Sequence, residues 1–188
     1  IYHFYLQYKL GQVAKDKISL PRDIETLIEI NVVESMISSG KFSDRYYTGF
    51  QSFLSKDENS RISYLPQFLV SPSNAKSFMT KIKQLSATPS MTIKDHYLEL
   101  SKVHISGIKL NGESISSFLK TECRSHKYIY SNFLSLLNYR FSQNFSKGSS
   151  GIKILINWFE NQATDKGLNL GFDEFIPNCH RKGYQCFI

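Results

Sequence analysis

Apolar positions recur with different periods along the chain, and each period predicts an element. In Ile1-Tyr-His-Phe-Tyr-Leu-Gln-Tyr-Lys-Leu10 and just beyond, Phe4, Tyr5, Tyr8 and Val13 fall loosely at helical spacing with Gly11 interrupting, which predicts a short amphipathic helix. From Pro21 the pattern strengthens. Proline suits a first helical turn, Asp23 and Glu25 suit its positive end, and Ile24, Leu27, Ile28, Val32, Met36 and Ile37 form a broad face before Gly40. This predicts a helix of about five turns, with Glu25, Glu29 and Glu34 on its other side. Phe50 to Leu54 predicts a short helix, and Arg61-Ile62-Ser63-Tyr64-Leu65-Pro66 alternates like a half-buried strand that Pro66 should end or confine to an edge. Residues 71–90 turn to Ser, Pro, Lys and Asn around a thin helical pattern of Phe78, Ile82 and Leu85, and read as a surface connection or insertion. Residues 107–117 contain Asn111-Gly112, a turn joining two short strands or a strand and a helix.

Tyr128, Phe133, Leu134, Leu137 and Phe141 mark a long helix from about His126 to Phe145, ended by Lys147-Gly148-Ser149-Ser150. Ile152 to Phe159 is nearly continuously apolar, as in a parallel strand covered on both faces. A polar corner follows, then a helical pattern through Leu168, Leu170, Phe172 and Phe175, then a second candidate strand from Gly183 to Ile188. Strand, helix, strand is a βαβ unit. The fold class is therefore α/β: a Rossmann-like parallel sheet with flanking helices, in a single domain over 1–188 with loops or insertions at 71–90 and 107–117.

Composition narrows the partners. The 188 residues are 41% hydrophobic and 21% charged, enough for one sizeable core. A net charge of +7 makes an anionic partner plausible, whether nucleic acid, a membrane surface or a phosphorylated small molecule, and charge alone does not choose among them. Basic and aromatic residues mix at Arg45-Tyr46-Tyr47 and from Arg124 to Tyr130, but without a nucleic-acid-binding signature, and buried aromatics account for them more simply. Cys123, Cys179 and Cys186 are an odd set without framework spacing, as expected of reduced thiols in the cytoplasm. The uncharged stretch Ile62 to Ala75 contains Pro66 and Pro72 and is shorter than the ~20 residues of a membrane span. The first residues are too aromatic and polar for a signal peptide, and a chain opening on Ile1 is expected to be an excerpt. Phosphate-loop, dinucleotide-fingerprint, nucleophile-elbow and Asp-x-Asp motifs are absent from the sequence, and its His and Cys lack paired-ligand spacing, so no metal or cofactor is expected.

Chemistry is expected after the apolar strand, because ligands of open α/β sheets bind beyond the carboxyl ends of the strands, where helix N-termini point. Glu160, Asn161 and Gln162 fall there. A carboxylate beside two amides could serve as a general base and hold hydroxyls. Alternatively Asn161 or Asp165 caps the helix and Glu160 is a solvated first-turn acid. Gln185, at the end of the next strand, could face the same cleft or be an ordinary turn amide.

Two segments together resemble a known family. Asp44-Arg45-Tyr46-Tyr47-Thr48-Gly49-Phe50 with the Tyr64-Leu65-Pro66 strand, and Asn157-Trp158-Phe159-Glu160-Asn161-Gln162 leading to Gly183-Tyr184-Gln185, resemble the N-terminal half of bacterial surface-carbohydrate biosynthesis proteins. Those are glycosyltransferases of the two-Rossmann-domain (GT-B) type. The resemblance covers about a third of the chain in separated blocks. It implies the acceptor-side half of such an enzyme, building cell-surface polysaccharide or lipopolysaccharide from a nucleotide sugar and a carbohydrate or lipid-linked acceptor. It also implies work in the cytoplasm, peripheral to the inner face of the membrane, and no sugar transfer without a donor-binding half. Glu160 becomes the base that deprotonates the acceptor hydroxyl, with Asp44, Arg45, Tyr46, Asn161, Gln162 and Gln185 binding substrate. Arg45 is the candidate for phosphate or carboxylate; a structural Asp44–Arg45 ion pair is the plainer reading. Cys186 departs from the family pattern, standing where a small residue, usually Gly, follows Gly-Tyr-Gln. The reading outside the enzymes is a non-catalytic α/β module that grips an anionic ligand.

Overall fold

The computed structural model describes residues 9, 10, 13, 23–47, 49–85, 109, 110, 112–114, 117, 129–148, 151–160 and 162–184. Most of the opening helical pattern therefore lies outside the described residues, as do 86–90, Asn161 and Gln185.

The stretch expected to be one long helix is instead a strand, β1 (Thr26–Val32), then a single 3-10 turn (Glu34–Met36) and a tight hairpin of β2 (Ile37–Ser38) and β3 (Lys41–Phe42). Two physical facts decide it. Leu27, Ile28, Ile30 and Val32 are all buried although they point to both sides of the backbone, which a central parallel strand permits and a one-faced helix does not. The run is also dense in β-branched residues, which lose rotamer freedom in helices and pack well on a pleat. Gly40 makes the hairpin turn rather than stopping a helix: Ser39 and Gly40 sit at φ 49° and 71°, the left-handed pair a two-residue loop needs.

After a 3-10 turn at Phe50–Ser52 and a short helix α1 (Lys56–Ser60), β4 (Ile62–Phe68) runs parallel to β1 along its whole length. Pro66 does not end β4, because β4 is an edge of the described sheet and the missing N–H breaks no ladder there. The segment expected to be a surface insertion instead forms helix α2 (Ala75–Gln84), with Phe78 and Ile82 fully buried against β1 and β4. Its apolar stripe is narrow and diluted by Lys, Ser and Asn, so average composition hid it. The Asn111-Gly112 signal resolves to two short strands, β5 (Lys109–Leu110) and β6 (Glu113–Ser114), with Gly112 at φ 85°.

The expected C-terminal elements are present: helix α3 (Ile129–Ser146), strand β7 (Ile154–Trp158), helix α4 (Ala163–Phe175) and strand β8 (His180–Tyr184). The last strand begins earlier than the sequence pattern suggests; 185–188 lie outside the described residues. Strand order is β4-β1-β7-β8, all parallel. The chain thus starts mid-sheet, steps outward to β4, then crosses back over β1 to β7 and β8, so that the order reverses between β1 and β7. One face buries Ile28, Ile30, Tyr64 and Phe68 under α2 and the hairpin; the other buries Leu27, Leu65 and Leu155 under α3 and α4, with Phe141, Leu168 and Phe172. This is a Rossmann-like α/β architecture. Among the described residues no helix is long and apolar enough to cross a membrane.

The amino ends of β4, β1 and β7 are tied electrostatically. Glu25, just before β1, accepts from Lys153 Nζ at 2.6 Å and from Arg61 Nη1 at 3.4 Å, the residues that lead into β7 and β4. The Lys153 hydrogen bond, reinforced by the Lys153 and Arg61 charges against some desolvation, holds the Glu25 carboxyl below its usual 4.5. Ser77 and Lys81 lower Glu34, and the Ser55 cap of α1 lowers Glu58. Groups lowered in the folded state contribute stability above their unfolded pKa and lose it as pH falls through the folded value. The thermal midpoint is therefore expected to stay level from neutral pH down to about 5 and then drop. Glu25→Gln should reduce that drop, as read by circular dichroism melts across a pH series.

Candidate functional site

The site begins with a change in strand pairing. β1 pairs with β4 through all of Thr26–Val32, but with β7 only from Thr26–Ile154 to Ile28–Ile156. Past Ile28 the two strands part at the order reversal, and a cleft opens between their carboxyl ends. Glu29, Ile30 and Asn31 of β1, Gln67 at the end of β4 and Trp158 at the end of β7 form its walls; Glu160, Gln162, Thr164 and Asp165 close it from the α4 side. The cavity volume is about 90 Å³. That is well below the roughly 300–1,000 Å³ of a pocket that encloses a whole small molecule, so the cleft takes one small group at a time.

The corner before α4 is held by Asp165, 8% exposed, whose Oδ2 accepts from the backbone N–H of Glu160 at 2.9 Å and of Gln162 at 3.0 Å. Thr164 Oγ1 adds a longer contact to Oδ1 at 3.3 Å. Gln162 is the N-cap residue, and its side chain in turn accepts from the Asp165 N–H. Asp165 is thus the residue that fixes the corner, its charge favoured by the helix N-terminus. Glu160 is exposed at the mouth and accepts from Gln162 Nε2 at 3.0 Å, so these two expected site residues are brought together.

The aromatic loop reaches the same end of the sheet. Asp44 Oδ1 accepts from the backbone N–H of Tyr46 at 2.8 Å and of Tyr47 at 3.2 Å, a side-chain turn that fixes the loop through amides. Tyr46 then meets Trp158 edge-on, ring centres 5.6 Å apart, while Tyr47 and Trp158 each meet Tyr184 at 5.2 Å. Tyr46 therefore stands beside the cleft through Trp158. Arg45 is exposed, donates to Tyr46 Oη at 3.0 Å and does not line the cleft. Burial pushes the Tyr184 phenol far above its ordinary value, and the neighbouring Tyr47 phenol and the charges of Asp44 and Glu29 add to it.

Glu29, Asn31 and Gln67 are lining residues that the pattern reading missed, because it placed Glu29 on the outer face of a helix. Their signal was one carboxylate and one carboxamide inside the apolar, β-branched run 26–32 and a carboxamide near the end of the run 62–68. Among the described lining residues are three carboxylates and neither lysine nor arginine. The +7 of the chain is therefore not focused here, and an anion entering this cleft would meet its own sign. A second hollow, of about 380 Å³, lies at the other end of the strands and is mostly apolar, with Phe50, Leu54, Ile62, Ile154 and Ile156. Among the described residues no three ligating side chains cluster to hold a metal ion. No protein-family model matches the chain, and no curated protein or solved structure matches it significantly.

Proposed function

We propose that the chain is the acceptor-side domain of a sugar-transferring enzyme of surface-carbohydrate biosynthesis, and that the cleft between β1 and β7 receives the hydroxyl-bearing acceptor. The observation that carries this is the chemistry of the lining: Glu29, Asn31, Gln67, Glu160 and Gln162 around the ring of Trp158. Carbohydrate hydroxyls both donate and accept, carboxylates accept and carboxamides do both, while an aromatic ring suits the apolar face of a sugar. The sequence resemblance to the two-domain glycosyltransferases supports the same reading. The nucleoside diphosphate of the donor would be held outside this acidic cleft, by cationic groups elsewhere, and the acceptor is a carbohydrate or a lipid-linked sugar at the inner face of the membrane. A non-catalytic module for an anionic ligand is the weaker reading, since the carboxylates oppose it.

In this reading Glu160, exposed at the mouth and oriented by Gln162, takes the proton of the acceptor hydroxyl as that oxygen bonds to the anomeric carbon. The bond from that carbon to the diphosphate breaks, and its electron pair leaves with the diphosphate. In the full-length enzyme, which carries the donor-binding half as well, turnover of a panel of nucleotide sugars is expected to fall about 10²- to 10⁴-fold in Glu160→Gln. Unchanged turnover in that variant removes Glu160 as the base.

A further inference from the structure

We propose that the apolar hollow at the amino ends of the strands is the contact surface between two copies of this chain, each copy seating its Phe53 in the hollow of the other. The cleft at the carboxyl ends takes no part in this contact, so the inference stands apart from the carbohydrate reading.

A strand inside a parallel sheet is ordinarily covered on both faces. β7 lies between β1 and β8, and on one side its Leu155 is fully buried under α3 and α4. On the other side Ile154 is 37% exposed and Ile156 only partly buried. These two side chains form the hollow of about 380 Å³ with Phe50, Leu54 and Ile62. An apolar cavity of about 150 Å³ is enough to take up benzene, so this one has room for a phenyl ring. Such a ring stands beside it. Phe53, between Phe50 and Leu54 in the chain, is 84% exposed, more than any other large apolar side chain among the described residues. An apolar knob adjoining an apolar hole on one surface is self-complementary: turning a second copy by half a revolution sets each knob in the other's hole, and the contact closes at two chains.

Charge selects a second copy over other partners. The chain carries +7, so two copies repel over most of their surface. At this hollow the charges balance. Glu25, Glu58 and Arg61 line it, and with Lys56 and Asp57 of α1 and Lys153 they make three carboxylates and three cations. Arg61 pairs with Asp57 and Glu25, Lys153 with Glu25, and Glu58 serves the Ser55 cap. A balanced, internally paired rim neither repels a second positive chain nor attracts an anionic membrane or nucleic acid, and it offers both signs to the identical rim of the second copy.

Sedimentation velocity of the chain from about 1 μM to 1 mM is expected to show a monomer–dimer equilibrium with Kd in the micromolar range. Added salt should leave the dimer intact or tighten it, because salt screens the repulsion between the two positive chains. Phe53→Asp should raise the dimer Kd about 10²-fold or more, since both knobs are lost at once. Its melting temperature as a dilute monomer should match that of wild type, because the ring is exposed. In the ¹⁵N-labelled chain the backbone amides of Ile154 and Ile156 should shift with protein concentration, and should not in Phe53→Asp. A monomer at every concentration overturns the proposal. A dimer of unchanged Kd in Phe53→Asp, or one that added salt dissolves, also overturns it, by putting the contact on another surface. If the chain stays monomeric and anilinonaphthalene sulfonate or a vesicle of neutral lipid shifts those amides instead, the hollow serves a small apolar ligand or a bilayer, and the proposal falls as well.

Discussion

Gly167→Ala is expected to destabilise the protein by about 2 kcal/mol, the net of an overpacking cost near the top of its ordinary range and the better helix propensity of alanine. The cause lies between α3 and α4. A Cβ at 167 would stand 2.6 Å from the carbonyl carbon of Ser135 and closer still to its oxygen, and that backbone cannot yield without shifting α3. Gly171 lies one turn along the same contact, where a Cβ would stand 2.6 Å from Cβ of Ser142 and 3.1 Å from Cα of Tyr139. There the first obstacle is a side chain, so Gly171→Ala should cost less, about 1 kcal/mol. Urea unfolding of the two variants checks both the size and the order. Equal stability of both variants and wild type would mean that the helices do not approach this closely.

Asp165→Ala should cost about 2 kcal/mol as well, by a different route. One carboxylate oxygen serves the amides of Glu160 and Gln162 at once, and its loss leaves both donors without that acceptor. Asp165→Asn keeps an acceptor oxygen but loses the charge favoured by the helix N-terminus, so its effect should be roughly half. The discriminating measurement is hydrogen exchange at those two amides. Exchange should quicken at Glu160 and Gln162 in Asp165→Ala far more than in β1 or β4, because the corner opens while the sheet persists. The same opening should weaken any ligand of the cleft, since Glu160 and Gln162 hang from that corner.

The C-terminal βαβ unit was readable because its signals agree: a continuous apolar strand, a polar corner and a helical repeat in succession. The corner could be placed at the carboxyl end of β7 without knowing any other element. β1 was misread because the face formed by Ile24, Leu27, Ile28, Val32 and Met36 fits a helical repeat as well as a strand buried on both sides. Only the neighbours β4 and β7, distant in sequence, make burial on both sides possible. That misreading hid one wall of the site, since Glu29 and Asn31 line the cleft only if residues 26–32 are extended. Phe78 and Ile82 show the same limit, as three apolar residues in a polar segment gain meaning only from the surface of β1 and β4 they cover. Asp44, expected to bind substrate, does not line the cleft; its side chain accepts the backbone amides of Tyr46 and Tyr47, a role that residue identity alone does not distinguish from ligand binding.

The parting of β1 and β7 also divides the sheet into two territories under different rules for sequence change. Below Ile28 and Ile156, each side chain is held by partners on adjoining strands and by the helices, and replacement is judged by volume and shape. Above them, Glu29, Asn31, Gln67 and Asn157 extend the same strands without contributing to the apolar core. If the cleft binds as proposed, single substitutions at Glu29, Asn31 or Gln67 change its specificity while Ile30, Val32 and Phe68, on the opposite face of the same strands, keep the chain folded.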